Sequence, residues 1–168
     1  ASLEMMNATI QNFVNSDGEG GGIYALGGTI NLVGATIINC EATNNGGGIY
    51  VGENASVNLN DETNIENCTA VNGGGGIYVY KESSSLTLDD STIINCFSDF
   101  GGGIFVENGK VSLVNKSRIE DCTATKQGGG ICAWGGTVNL NGATIEGCKA
   151  TTEGDGGGIY VEGGEVSL

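Results

Sequence analysis

Five cysteines recur in this chain at intervals of 28, 28, 26 and 26 residues: Cys40, Cys68, Cys96, Cys122 and Cys148. Thiolates could hold a metal or oxidise to disulfides. Zinc needs ligands that converge from different directions, whereas one cysteine per repeat gives side chains that run parallel. Vertical disulfides have an acceptable Cα separation, but parallel Cβ vectors strain them. The remaining reading is a buried row of small apolar side chains. Cys132 is out of this series. It occupies a slot that other repeats fill with an aromatic, so it is expected to face outward as the most reactive thiol.

That slot follows three glycines and an isoleucine. GGGI is followed by Tyr24, Tyr50, Tyr78, Phe105, Cys132 and Tyr160 in turn, at intervals of 26 to 28 residues. Tyr80 and Trp134 lie one strand step further on. Outward aromatics at one position per repeat form a strip that could contact a ligand, a sugar or a partner protein. They could also stack on one another and stabilise the repeat with no partner. The candidate contact residues are therefore Tyr24, Tyr50, Tyr78, Tyr80, Phe105, Trp134 and Tyr160.

Carboxylates offer acid–base chemistry: Asp61-Glu62, Asp89-Asp90, Glu120-Asp121, Glu153 and Asp155. Enzymes that cleave acidic polysaccharides pair such groups, often around calcium, with a basic residue that stabilises developing charge. This chain has no His and one Arg, Arg118. Glycoside hydrolysis needs only two carboxylates at a set separation, but these pairs sit at turn positions, where solvation is the usual role. The nonapeptide calcium repeat is absent, and Asp17-Gly18-Glu19 and Glu153-Gly154-Asp155 only echo it. The reading is non-enzymatic, with no catalytic residues, no metal and no cofactor. Asn31, Asn58, Thr87, Ser112, Asn139 and Ser167 form a polar row too mixed to match an ice lattice. Sequons at Asn7, Asn54, Asn67 and Asn115 are short motifs in an Asn-rich chain.

All these residues are positioned by one repeating unit. Upstream of each GGGI stands a segment such as ATIINC (Ala35 to Cys40) or STIINC (Ser91 to Cys96). The first copy places Phe13 where the others place Cys. Ahead of that segment comes an alternating pair: Leu3/Met5, Ile30/Leu32, Val57/Leu59, Leu86/Leu88, Val111/Leu113, Val138/Leu140 and Val166/Leu168. Each unit thus holds three short runs of period-two alternation separated by Gly, Asn, Asp and Ser, which predicts strands and turns and no helix. The residue before each Cys is Asn39, Asn67, Asn95, Asp121 or Gly147, with Asn12 before Phe13. These types tolerate a left-handed turn.

Self-similarity at this period means a solenoid. A leucine-rich repeat needs more leucines at a different spacing. The better match is an all-β, single-stranded parallel β-helix of about six coils, 26–28 residues and three strands each, spanning 1–168 as one repeat segment. Equivalent residues then stack about 4.8 Å apart, and six coils make a rod roughly 29 Å long.

The net charge of −14 argues against nucleic acid and against anionic membrane surfaces. No run reaches transmembrane length, so direct membrane insertion is not expected.

GGGI at six positions, with Asn-Cys-x-Ala before it as in Asn39-Cys40-Glu41-Ala42 and Asn67-Cys68-Thr69-Ala70, resembles the repeats of the chlamydial polymorphic outer-membrane proteins. Similar repeats occur in large adhesin-like surface proteins of other microbes. The likeness runs the length of the chain, although Cys stands for the commoner Phe and GGGI for GGAI. It implies a right-handed β-helix displayed outside the cell as a segment of a longer surface protein, with an adhesive role toward a host-surface protein or a glycan.

Two further expectations follow from the repeat. Its first and last coils share one phase and show no cap, so exposed sheet edges could support end-to-end self-association. Loop length varies at one corner, where Tyr80 to Ser85 is the longest connection. Insertions in solenoids gather on the binding face, which makes this loop the expected place for a specific contact.

Overall fold

The computed structural model describes residues 1–152 and 154–168; the candidate carboxylate Glu153 lies outside the described residues. The chain winds through four parallel sheets. The first sheet contains Ser2–Met6, Gly28–Val33, Ala55–Asn60, Ser85–Asp89, Lys110–Val114, Thr137–Asn141 and Glu165–Ser167. The second contains Thr9–Gln11, Thr36–Ile38, Asn64–Glu66, Thr92–Ile94, Arg118–Glu120 and Thr144–Glu146. The fourth contains Ile23–Ala25, Ile49–Val51, Ile77–Val79, Ile104–Val106, Ile131–Ala133 and Ile159–Val161.

Between the second and fourth runs a third sheet that the alternation pattern does not reveal. Its strands are Val14–Asn15, Glu41–Ala42, Thr69–Ala70, Phe97–Phe100, Thr123–Gln127 and Lys149–Ala150. Most are two residues long, too short to alternate. What defines them is the hydrogen bond from each coil to the next, as in Thr69 N to Cys40 O (2.9 Å) and Phe97 N to Cys68 O (3.0 Å). Each coil therefore has four strands where three were expected.

The apolar residues keep strict register. Ile65 pairs with Ile37 and Ile93, and Ile77 with Ile49 and Ile104. These isoleucines are fully buried in one continuous core with Leu59, Leu88 and Leu113. Fully burying a side chain of this size contributes roughly 1.5–3 kcal/mol. Thr63, Ser91 and Ser117 are buried at the corner before the second sheet. Their hydroxyls donate to main-chain oxygens, as in Thr63 Oγ1 to Asn60 O (2.7 Å) and Ser117 Oγ to Val114 O (2.7 Å).

Left-handed residues recur at the corners of the coil. After the second sheet they are Asn12, Asn39, Asn67, Asn95, Asp121 and Gly147, with φ from 50° to 66°, as the sequence suggested. Before the fourth sheet the left-handed residue is the first glycine of each triplet, and the three glycines have different causes. Gly74 has φ 64°. A Cβ on Gly75 would meet Phe97 O at 2.4 Å and Gly102 O at 2.6 Å. A Cβ on Gly76 would meet Gly103 O at 2.6 Å and, in the core, Ile93 Cγ2 at 2.8 Å. One turns the chain, one admits two neighbouring backbones, and one leaves room for the core.

Candidate functional site

The outer face of the fourth sheet carries two columns of side chains. Tyr24, Tyr50, Tyr78, Phe105, Cys132 and Tyr160 pair in register along the first. Leu26, Gly52, Tyr80, Glu107, Trp134 and Glu162 follow two residues on. Ring centroids are 5.0 Å apart from Tyr24 to Tyr50, 5.2 Å from Tyr50 to Tyr78 and 5.2 Å from Tyr78 to Phe105. The rings of Tyr50 and Tyr78 are almost parallel, with an interplanar angle of 9°.

Burial divides this row. Tyr50, Tyr78 and Phe105 are only 4–5% exposed, whereas Tyr24 is 51% and Trp134 41% exposed. Of the two readings of the strip, self-stacking describes its middle, which is a second, small core outside the main one, and not an open contact face. The rings cover each other, and the corner before the glycines closes over them. A Cβ on Gly73 would sit 3.0 Å from the Phe105 ring, so glycine there lets the ring lie flat. Phe100 stands at the register position of Gly73 one coil on. Its ring lies 6.2 Å from Phe105 and 5.1 Å from Trp134. The surface that remains open consists of Tyr24, Trp134 and the half-buried Tyr80 and Tyr160.

Cys132 is also corrected. It lies on the outer face but is fully buried among these rings. Its small side chain leaves room for the indole of Trp134, which lies beside its sulfur. Burial, reinforced by the Glu162 charge, pushes its thiol pKa up to about 12. At neutral pH it is a packed thiol, unlike the reactive one the sequence suggested.

Cys40, Cys68, Cys96 and Cys122 are buried in the main core, Cys148 partly so, and all are free thiols. Each donates to the carbonyl two residues back, as in Cys68 to Glu66 O (3.3 Å) and Cys122 to Glu120 O (3.3 Å). Burial holds Cys96 well above the usual thiol pKa. The row is satisfied by main chain and fills the corner opposite the glycines, whose Cβ atoms would come within 3.5 Å of Sγ at Gly48 and Gly76.

Two carboxylates that sequence reasoning did not single out serve the aromatic column. Glu107 Oε2 accepts a hydrogen bond from the Tyr78 hydroxyl. Glu19 lies beside the Tyr50 hydroxyl and accepts from the amides of Asn44 (3.0 Å) and Asn45 (3.3 Å). Burial raises both phenol pKa values, and the adjacent carboxylates raise them further. A Glu two residues after an aromatic at this corner was the only sequence signal for Glu107.

At the corner between the fourth and first sheets the loop after Tyr80 overhangs shorter turns below. Lys81 O accepts from Ser84 N (2.8 Å), and Asn54 N donates to Ser83 Oγ (3.2 Å), so the loop is closed on itself and tied to its neighbour. Beneath it runs a groove of about 1000 Å³ lined by Lys81, Ser83, Asn108, Lys110, Thr137 and Glu165, with Gly136, Gly163 and Gly164 at its floor. Lys81 pairs with Glu53 and lies over the Tyr80 ring, 5.1 Å from its centroid. The sequence-predicted contact loop and Tyr80 therefore meet at one corner.

Of the acidic pairs, Asp61, Glu62, Asp90 and Asp121 are turn residues, with φ of 49°, 63°, 49° and 50°, whereas Asp89 and Glu120 are the last residues of strands. Arg118 lies between Glu120 and Glu146 on the outer face of the second sheet. Among the described residues no group of three His, Cys, Asp or Glu side chains is placed to hold a metal.

The family model described as "Right handed beta helix region" matches residues 3–150. The chain belongs to the right-handed β-helix family. Its four-sheet coil, stacked isoleucines and left-handed corners are how this member builds that helix. No curated protein and no solved structure matches it.

Proposed function

We propose that this β-helix is a non-catalytic, surface-displayed structural and adhesive segment of an adhesin-like protein outside the cell. The observation that carries this reading is the corner at Tyr80. The longest connection in the coil, an aromatic and the groove beneath it stand together on a regular, acidic rod. The rod fixes the spacing of its corner, and many copies on a surface would turn weak contacts into firm attachment. The resemblance of the Asn-Cys-x-Ala and GGGI motifs to polymorphic outer-membrane proteins supports the same role.

The groove favours a glycan as partner. Its lining combines amide, hydroxyl, ammonium and carboxylate groups, which match sugar hydroxyls, and Tyr80 directly precedes the lining residue Lys81 in the chain. A binding array of glycans and host-surface proteins tests the reading. The folded chain should bind a defined subset, and a Tyr80→Ala/Lys110→Ala variant should lose it. Hydrolysis of a bound glycan would instead make the segment an enzyme, and binding that survives the double variant would move the site elsewhere.

A further inference from the structure

The aromatic column has a dry middle, wet ends and a proton acceptor at two of its phenols. From Tyr24, through Tyr50, Tyr78 and Phe105, to Trp134, neighbouring ring centroids lie 4.9–5.2 Å apart. The path crosses five coils. Both terminal rings are exposed, and the three between them are buried. Stacking alone needs neither carboxylate. Glu107 and Glu19 nonetheless sit at the hydroxyls of the two buried phenols, Tyr78 and Tyr50.

We propose that this column carries one-electron oxidation along the rod, with Trp134 as the entry point and Tyr78 and Tyr50 as stations. An outer-sphere one-electron oxidant takes an electron from the exposed indole and is itself reduced. The indole radical cation then recovers an electron from Tyr78 across Phe105, whose ring is too hard to oxidise and serves as a bridge. A phenol that loses an electron becomes strongly acidic, so the Tyr78 hydroxyl proton passes to Glu107. The products are neutral Trp134, the Tyr78 phenoxyl radical and the Glu107 carboxylic acid, which conserves electrons and protons. In the next step Tyr50 gives an electron to Tyr78 and its proton to Glu19, while Glu107 returns its proton to Tyr78. Tyr24, stacked on Tyr50 and open to water, is the exit.

A protein in water often loses such radicals to nearby solvent or thiols. Here the stations are buried, and the core thiols stand on the other side of the fourth sheet. Cys132 is the one thiol in the aromatic cluster and is the competing sink.

Trp134 is the only tryptophan, so pulsed photoionisation of the intact chain at the red edge of the indole band, where phenols do not absorb, starts the process at one known residue. A haloacetate scavenger takes the ejected electron and releases halide. Transient absorption then follows indole and phenoxyl radicals separately. The expected result is a phenoxyl band that rises as the indole radical decays. Tyr78→Phe, Phe105→Leu and Glu107→Gln should each abolish that rise with the circular dichroism spectrum unchanged. Glu107→Gln is decisive, because the amide oxygen still accepts the hydrogen bond but cannot take the proton. An unchanged phenoxyl rise in Glu107→Gln overturns the proposal. So does a rise lost in Tyr80→Phe but kept in Tyr78→Phe, and so does an indole decay that only Cys132→Ala slows.

Discussion

The indole of Trp134 meets the ring of Phe105 edge-on, at 84° with centroids 4.9 Å apart. It also meets Phe100 at 68° and 5.1 Å, so one exposed side chain closes over the buried Phe105 and the partly buried Phe100. Edge-to-face pairs of this kind add about 0.5–1.5 kcal/mol beyond the area they bury. Trp134 is thus both a cover for the small outer core and a surface aromatic. Trp134→Ala should destabilise the fold by roughly 3 kcal/mol, measured by urea denaturation.

Gly75→Ala tests why the triplet is glycine. Two backbone carbonyls leave no room for a Cβ, and neither can move without shifting a neighbouring coil. The expected loss is about 1–3 kcal/mol or more, the range for forced overpacking. A shift in the urea midpoint measures it, and a neutral outcome would contradict the packing described.

Asn95 separates turn geometry from side-chain chemistry. Its φ is 54°, a conformation that costs an ordinary residue roughly 1–2 kcal/mol. Asn95→Ala should destabilise by about that amount, and Asn95→Gly by less. Equal effects from the two variants would mean that the amide, and not the backbone, is what matters there.

Alkali should weaken the fold through Cys132. Its folded pKa is raised from 9.0 to about 12 by burial. The native state therefore holds its proton where the unfolded state releases it, so stability is fully present below pH 9 and falls as pH rises toward 12. Buried Tyr50 and Tyr78, also raised, add to the loss at the alkaline end. Circular dichroism against pH should show later alkaline unfolding in Cys132→Ala than in the parent chain. Thiol labelling at neutral pH should reach the partly exposed Cys148 before Cys132.

The coil and its registers were legible in the sequence because the period-two signal repeats in every coil. The pairing of Leu3 with Ile30 and of Met5 with Leu32 follows directly from it. So does the left-handed row at Asn39 and Asn67, since few residue types tolerate that turn. The third sheet was not legible, because Glu41–Ala42 and Thr69–Ala70 are too short to alternate. The fate of the aromatics was half legible. Alternation correctly put Tyr78 and Cys132 on the outer face, but their burial depends on Phe100, Gly73 and Trp134. Phe100 and Gly73 come from another strand and a corner, where no local pattern marks them, and Trp134 was marked only as a surface contact. The groove at Tyr80 was visible only as a longer loop, since the rest of its wall is made of turns one, two and three coils away.

The adhesive reading stands or falls on multivalent attachment. The most direct measurement is retention of beads coated with the folded chain on host-cell or glycan surfaces under flow, beside the free chain in solution. Weak binding by the free chain, bead retention that exceeds it by about 10²–10⁴ in apparent affinity, and loss of both in Tyr80→Ala/Lys110→Ala is the predicted result. Coated beads that wash off every surface, with the fold intact, would contradict it.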